Sequence, residues 1–186
     1  MNMKKQVYSE AVPVRTATPK SLTTLVQAAM IAAIYVVLTF IASAFGLANY
    51  AVQVRFSEAL TVLPFFTPAA IPGLFIGCLL SNILTGCALP DIIFGSLATL
   101  IGALGTYALR RWKWCAPICP IAANTIIVPL VLIYGYGFMI EGLSVLQCFG
   151  YYCLTVGAGE IISCGVLGMI LLFALQKYQH ILFKHN

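Results

Sequence analysis

From Ser21 to Phe45 the chain places 25 residues in a row without a charged side chain. As helix this run is about 37 Å long, against a hydrocarbon layer of roughly 30 Å. Lipid offers no partner for a backbone N–H or C=O, so a run of this kind is stable as a helix across a bilayer, where every backbone group is bonded internally. Ser21, following Pro19-Lys20, stands where an N-cap belongs. The apolar run is too long for a signal-peptide core and lacks a small-residue cleavage site. The stretch before it, residues 1–20 with Lys4, Lys5, Glu10 and Arg15, therefore reads as a cytosolic tail.

The rest of the chain has the same character, with 61% hydrophobic and 8% charged residues and a mean hydropathy of +0.99. These values exclude a soluble domain. The 186 residues hold roughly six spans of about 20 residues each, giving one all-α membrane domain over 21–178 and a short cytosolic tail over 179–186. A net charge of +5 does not indicate nucleic acid, because the bases sit beside apolar runs as topology signals do.

Two further spans are plain, Pro68 to Gly86 and Asp91 to Leu109, the second ending at Arg110-Arg111-Trp112-Lys113. Between the first span and these lies Gln53 to Phe66, 14 residues that include Arg55, Glu58 and Pro64. As α-helix it would reach only about 21 Å. Charge parity argues that it crosses all the same: if the Lys-rich N-terminus and the Arg110 cluster are both cytosolic, an even number of crossings separates them. The second helix is then short or broken and must be enclosed by protein or a water-filled cavity. Ala116 to Gly137 returns outward, and Gly159 to Gln176 comes back before Lys177 and Lys184. Nine bases then lie inside and Arg55 alone outside, which predicts six transmembrane helices with both termini cytosolic. Leu143 to Tyr178 is longer than one span requires, and Gly157-Ala158-Gly159 predicts a break between an outer helix or re-entrant piece and the sixth span.

On this topology four acids, Glu58, Asp91, Glu141 and Glu160, gather toward the outer face with Arg55, Asn82, Tyr134 and Tyr136. Charge in an apolar segment is costly and commonly serves a bound solute. Convergence from separate helices is also what a small-molecule site requires. Each residue has a plainer reading too. Asp91 follows Pro90 at a helix start, where the dipole favours an acid; Glu141 falls in an exposed loop; Arg55 and Glu58, three apart, neutralise each other. Asn82 and Asn124 each place an amide in an apolar helix, and an interhelical hydrogen bond explains them as well as a ligand does. Glu160, with no base nearby in sequence, is the foremost site residue.

Gly73, Gly77, Ser81 and Thr85 recur every fourth residue and suit close helix packing. Ala28, Ala29, Ala32 and Ala33 form two overlapping A-x-x-x-A frames near the cytosolic end of the first span, suited to docking another subunit or to packing within the chain. The seven cysteines are scattered; Cys115 and Cys119 lack a metal-ligand partner, and His180 and His185 lie in the polar tail. No nucleophile, base or metal arrangement points to catalysis.

The runs QVRFSEALTVLPFFTPAAIPGLFIGCLLSNILTG, from Gln53, and DIIFGSLATLIGALGTYALRR, from Asp91, resemble the substrate-binding membrane subunits, or S components, of energy-coupling factor (ECF) transporters, in particular the queuosine-precursor type, QueT. The resemblance spans about Ser21 to Tyr178. It implies a multi-pass protein of the bacterial cell membrane that binds a 7-deazaguanine compound from outside (preQ0, preQ1, queuine or queuosine). It also implies partners: an energy-coupling transmembrane subunit, docked through an alanine motif that Ala28, Ala29, Ala32 and Ala33 fit, and two ATP-binding cassette ATPases that use the ATP. The chain itself would be no enzyme and carry no cofactor. Another vitamin-like solute, a stand-alone secondary transporter and a membrane enzyme on lipid-linked substrates are the competing readings. No internal repeat or acidic relay across the membrane supports the second, and the missing catalytic groups weigh against the third.

Overall fold

A computed structural model describes residues 20–46 and 54–182. Residues 1–19 and 183–186 of the tails, and Gln53 at the head of the short segment, lie outside the described residues. Those described form helices and no strand: α1 (Lys20–Ala44), a 3-10 helix (Phe56–Phe65), α2 (Ala70–Leu84), α3 (Leu89–Ala108), a short 3-10 turn (Lys113–Cys115), α4 (Ile118–Leu130) prolonged by a π segment (Val131–Gly135), and α5 (Val145–Glu160), which passes through a second π segment (Ile161–Leu167) into α6 (Gly168–Leu182).

Four of these rods are long and apolar enough to cross a membrane: Ser21–Ala44, Leu89–Ala108, Lys113–Gly135 and Val145–Gln179. The segment expected to be short or broken is a 3-10 helix of 10 residues, with every side chain from Ser57 to Pro64 buried. Enclosure on all sides satisfies what a short intramembrane segment demands. A 3-10 run of this length is uncommon. Its stretched rise of about 2 Å per residue carries it about 20 Å, nearly as far as the 15 residues of α2. Thr61, one 3-10 turn after Glu58, donates its hydroxyl hydrogen bond to the Glu58 carbonyl at 2.6 Å.

The glycines of α2 explain its partner. A methyl built on Gly73 would lie 2.7 Å from the Ala28 carbonyl oxygen, and one on Gly77 would lie 2.8 Å from Tyr35 Cβ and 3.1 Å from Ala32 Cα. Ala28 and Ala32 are accordingly buried against the small-residue stripe of α2. On the other side of the molecule, Gly102 of α3 faces Pro120 of α4, where a methyl would come within 2.8 Å of backbone. Tyr35, Leu60, Leu63 and Leu74 form the centre of the core between α1, the 3-10 helix and α2.

The break expected at Gly157-Ala158-Gly159 is absent. The helix begins at Val145 behind a capping box, with Ser144 and Gln147 bonding each other's backbone N–H, and runs unbroken to Leu182, past Tyr178. Gly157 serves packing, its missing side chain leaving room for Thr125. Glu160 therefore stands within one long helix, at the entry to a π segment, and does not lead a separate sixth span.

Candidate functional site

Two adjoining cavities collect most of the polar residues. The outer one, about 580 Å³, is lined by Thr39 and Ser43 of α1, Arg55, Asn82 of α2 and Thr85 just after it, Asp91 of α3, Val128 of α4, Leu132 of the π segment, and Tyr136 and Phe138 beyond it. That volume lies in the range of small-molecule pockets. The inner one, about 10 Å³, is lined by Arg55, Glu58, Gly95, Thr99, Asn124, Val128, Val156 and Glu160, room for about one water. Arg55 and Val128 belong to both, so the Arg55 side chain stands at their boundary.

The 3-10 helix and the π segment aim the inner groups at each other. Glu58 is 2% exposed and Glu160 7%. Glu58 is engaged on both oxygens: the Tyr35 hydroxyl donates to Oε1 and the Asn124 amide to Oε2 at 3.5 Å. Glu160 is engaged far less. The Cys164 thiol, one turn on, lies 3.1 Å from its Oε2, and a thiol is a weak donor. The Asn124 amide, shared with Glu58, is its second hydrogen-bond partner. Ser163, next along the π segment, accepts a hydrogen bond from the Arg55 backbone N–H at 3.2 Å, tying the head of the 3-10 helix to the last long helix.

Arg55 and Glu58 do not close as an ion pair; among the described residues Tyr35 and Asn124 take the carboxylate instead. The guanidinium is left between Glu58, Glu160 and Asp91, whose fields all reach it or are reached by it. Three carboxylates share one cation, and buried carboxylates are costly without donors. Ligand atoms of Glu58, Glu160 and Cys164 fall within 4.8 Å of one another. The neighbouring guanidinium opposes a second cation there.

In the outer cavity Asp91, in the first turn of α3, accepts from the Tyr136 hydroxyl at 3.3 Å, and that hydroxyl in turn accepts from the Ala88 N–H at 3.0 Å. Asn82 donates to the Asp91 carbonyl at 3.3 Å. Gly95 packs closely on this pair, where a methyl would lie 3.0 Å from Asp91 Oδ1 and 3.2 Å from the Asn82 amide nitrogen. Tyr136 and Phe138 stack at 5.3 Å with a 31° tilt, giving the cavity an aromatic wall.

Of the expected site residues, Glu160, Glu58, Asn124, Arg55, Asn82, Asp91 and Tyr136 thus line two adjoining spaces. Tyr134 does not: it is 75% exposed and borders a separate apolar cleft between α3 and α4. Glu141 is exposed in the turn before α5. The alanine set divides, Ala28 and Ala32 facing α2 and Ala29 and Ala33 lying exposed. Tyr35, Thr99, Ser163 and Cys164 were missed. Thr99 was within reach of the sequence, because Asp91, Gly95 and Thr99 recur every fourth residue of α3.

A curated relative, the queuosine precursor transporter QueT of Lactococcus lactis subsp. cremoris (strain MG1363), is 36% identical over 90 residues, 48% of this chain and 53% of that protein. The match spans about half the length of each. No solved structure matches the chain. The QueT transporter family, by contrast, matches residues 25–177, a stretch that contains the lining of both cavities and all but the outermost ends of the long apolar helices, and the chain belongs to that family of membrane transport proteins.

Proposed function

We propose that this protein is the solute-binding membrane subunit of an ATP-driven ECF importer, taking up a 7-deazaguanine precursor of queuosine. The observation that carries the reading is the pairing of an outer cavity of about 580 Å³ with a buried carboxylate, Glu160, that lines the adjoining inner cavity and is held, among the described residues, only by a thiol and by an amide it shares with Glu58. A guanine-like edge presents a ring N–H beside an exocyclic amine, two parallel donors that one carboxylate accepts together. Its carbonyl takes a donor from Arg55 or Asn82, and its flat ring lies against Tyr136 and Phe138. The solute enters the outer cavity, and Arg55 turns aside to open the way to Glu160. Glu58, held by Tyr35 and Asn124, shapes the floor.

Transport needs energy from elsewhere, because the chain carries no ATP-binding motif; an energy-coupling transmembrane subunit and two ATP-binding cassette ATPases supply it. Ala29 and Ala33, on the exposed face of α1, are the docking alanines. The six-crossing arrangement with cytosolic termini follows from charge parity, with the 3-10 helix as the second crossing. In a chain freed of native cysteines, one cysteine at Phe45 should label from outside and one at Trp112 from inside; labelling from the same side would remove the 3-10 crossing.

Mass spectrometry of small molecules released by denaturing the purified protein tests the solute. A retained 7-deazaguanine is expected. A different vitamin-like compound would keep the binding subunit and change its cargo. Uptake by this chain alone in proteoliposomes, without ATP, would replace the importer reading with a secondary transporter.

A further inference from the structure

The turn from α3 into α4 gathers Arg110, Arg111 and Lys113 with Trp112 and Trp114, both indoles 66% exposed. Trp114 packs edge-on against Phe173 of α6 at 5.4 Å, which brings Lys177, one helical turn beyond Phe173, to the same patch. Three of these cations are positioned by aromatic faces. The Arg110 guanidinium lies 4.4 Å from the Tyr107 ring; the Lys113 ammonium lies 5.3 Å from Phe173 and 5.8 Å from Trp114; the Lys177 ammonium lies 5.8 Å from Tyr178. No carboxylate neutralises them among the described residues. Asp91 is at the other end of α3, about 30 Å away, Glu58 and Glu160 line the inner cavity, and Glu141 follows the far end of α4.

A ring face orients a cation without cancelling its charge. Exposed indoles mark the depth at which headgroups meet acyl chains. We infer that this patch is a binding site for an anionic phospholipid headgroup, with Arg110 and Arg111 on the phosphate, Lys113 and Lys177 on its outer oxygens, and Trp112 and Trp114 against the glycerol ester region. The site is separate from both cavities and does not depend on the solute reading.

The test uses the full chain in detergent, with native mass spectrometry counting bound phosphatidylglycerol against phosphatidylcholine of the same acyl chains. The wild type should hold phosphatidylglycerol in clear preference. Arg110→Gln with Arg111→Gln should lower that retention about tenfold or more, while Arg110→Lys with Arg111→Lys keeps most of it. Should the glutamine pair fail to melt cooperatively, Lys113→Gln with Lys177→Gln makes the same comparison. Equal retention of the two lipids by the wild type would overturn the site. So would displacement of phosphatidylglycerol by equimolar inorganic phosphate, which would mark a soluble-anion site. Unchanged lipid retention in the glutamine variants, with loss of a co-purifying membrane subunit, would make the patch a protein interface and overturn the lipid assignment.

Discussion

The seam between α1 and α2 and the cleft between the 3-10 helix and the last long helix lie on either side of Tyr35, and they are built by opposite rules. The seam is α-helical on both sides and closed by missing atoms, with Gly73 and Gly77 set against Ala28 and Ala32. The cleft departs from the α-helix on both sides, 3-10 facing π, and turns carboxylates, hydroxyls and a thiol toward each other. Small residues in lipid gain close packing, which is what holds helices together there. Buried carboxylates gain nothing for the fold that apolar groups would not give better. The seam therefore belongs to stability and the cleft, on the proposed function, to the solute, with Tyr35 touching both: its Cβ packs on Gly77 and its hydroxyl bonds Glu58.

The strongest way to break this division is Gly77→Leu. A single methyl already meets Tyr35 Cβ and Ala32 Cα, so a full side chain should cost about 3 kcal/mol or more and lower the thermal melting point sharply. An unaltered melting curve would mean that the seam is not closed. Arg55→Gln acts on the other region: solute affinity should fall about thirtyfold, or about 2 kcal/mol, measured by calorimetry, and the melting point should fall too, because three buried carboxylates lose their cation. Tyr35→Phe sharpens the link between the two. Loss of one donor to Glu58 should cost about 1–2 kcal/mol of stability, seen by melting, with a smaller loss of affinity. Tyr134→Phe, outside both regions, should change melting and binding by less than about 0.5 kcal/mol; a large loss of binding would return Tyr134 to the site.

Much of the seam could be read from the sequence, because spacing by four is a local property. The stripe through Gly73, Gly77, Ser81 and Thr85 was visible. Which of the alanines met it was not, since Ala28 and Ala29 differ only by a rotation that the tertiary fold decides. Length and charge gave the 3-10 helix as a short, enclosed segment. They could not give its helix type, because eight consecutive buried side chains leave no exposed face to set a period. Gly157 and Gly159 misled for a related reason: glycine breaks helices in water, yet in lipid it is a packing residue, and here it admits Thr125. The acids were legible as costly groups. That Tyr35 and Asn124 hold Glu58 while Glu160, among the described residues, has only the Cys164 thiol and a share of the same amide depends on several helices meeting, which no spacing encodes.

Glu160→Gln, titrated with a 7-deazaguanine precursor beside wild type and Glu58→Gln in one calorimetric series, is the most direct test of the central claim. The substitution keeps the shape and turns one acceptor into a donor facing the solute's N–H groups. Affinity should fall by about 2–4 kcal/mol, roughly thirtyfold to a thousandfold, with the melting point nearly unchanged, whereas Glu58→Gln should lower both. Wild-type affinity in Glu160→Gln would contradict the account, and if Glu58→Gln alone lost binding, recognition would move to the carboxylate that Tyr35 and Asn124 hold.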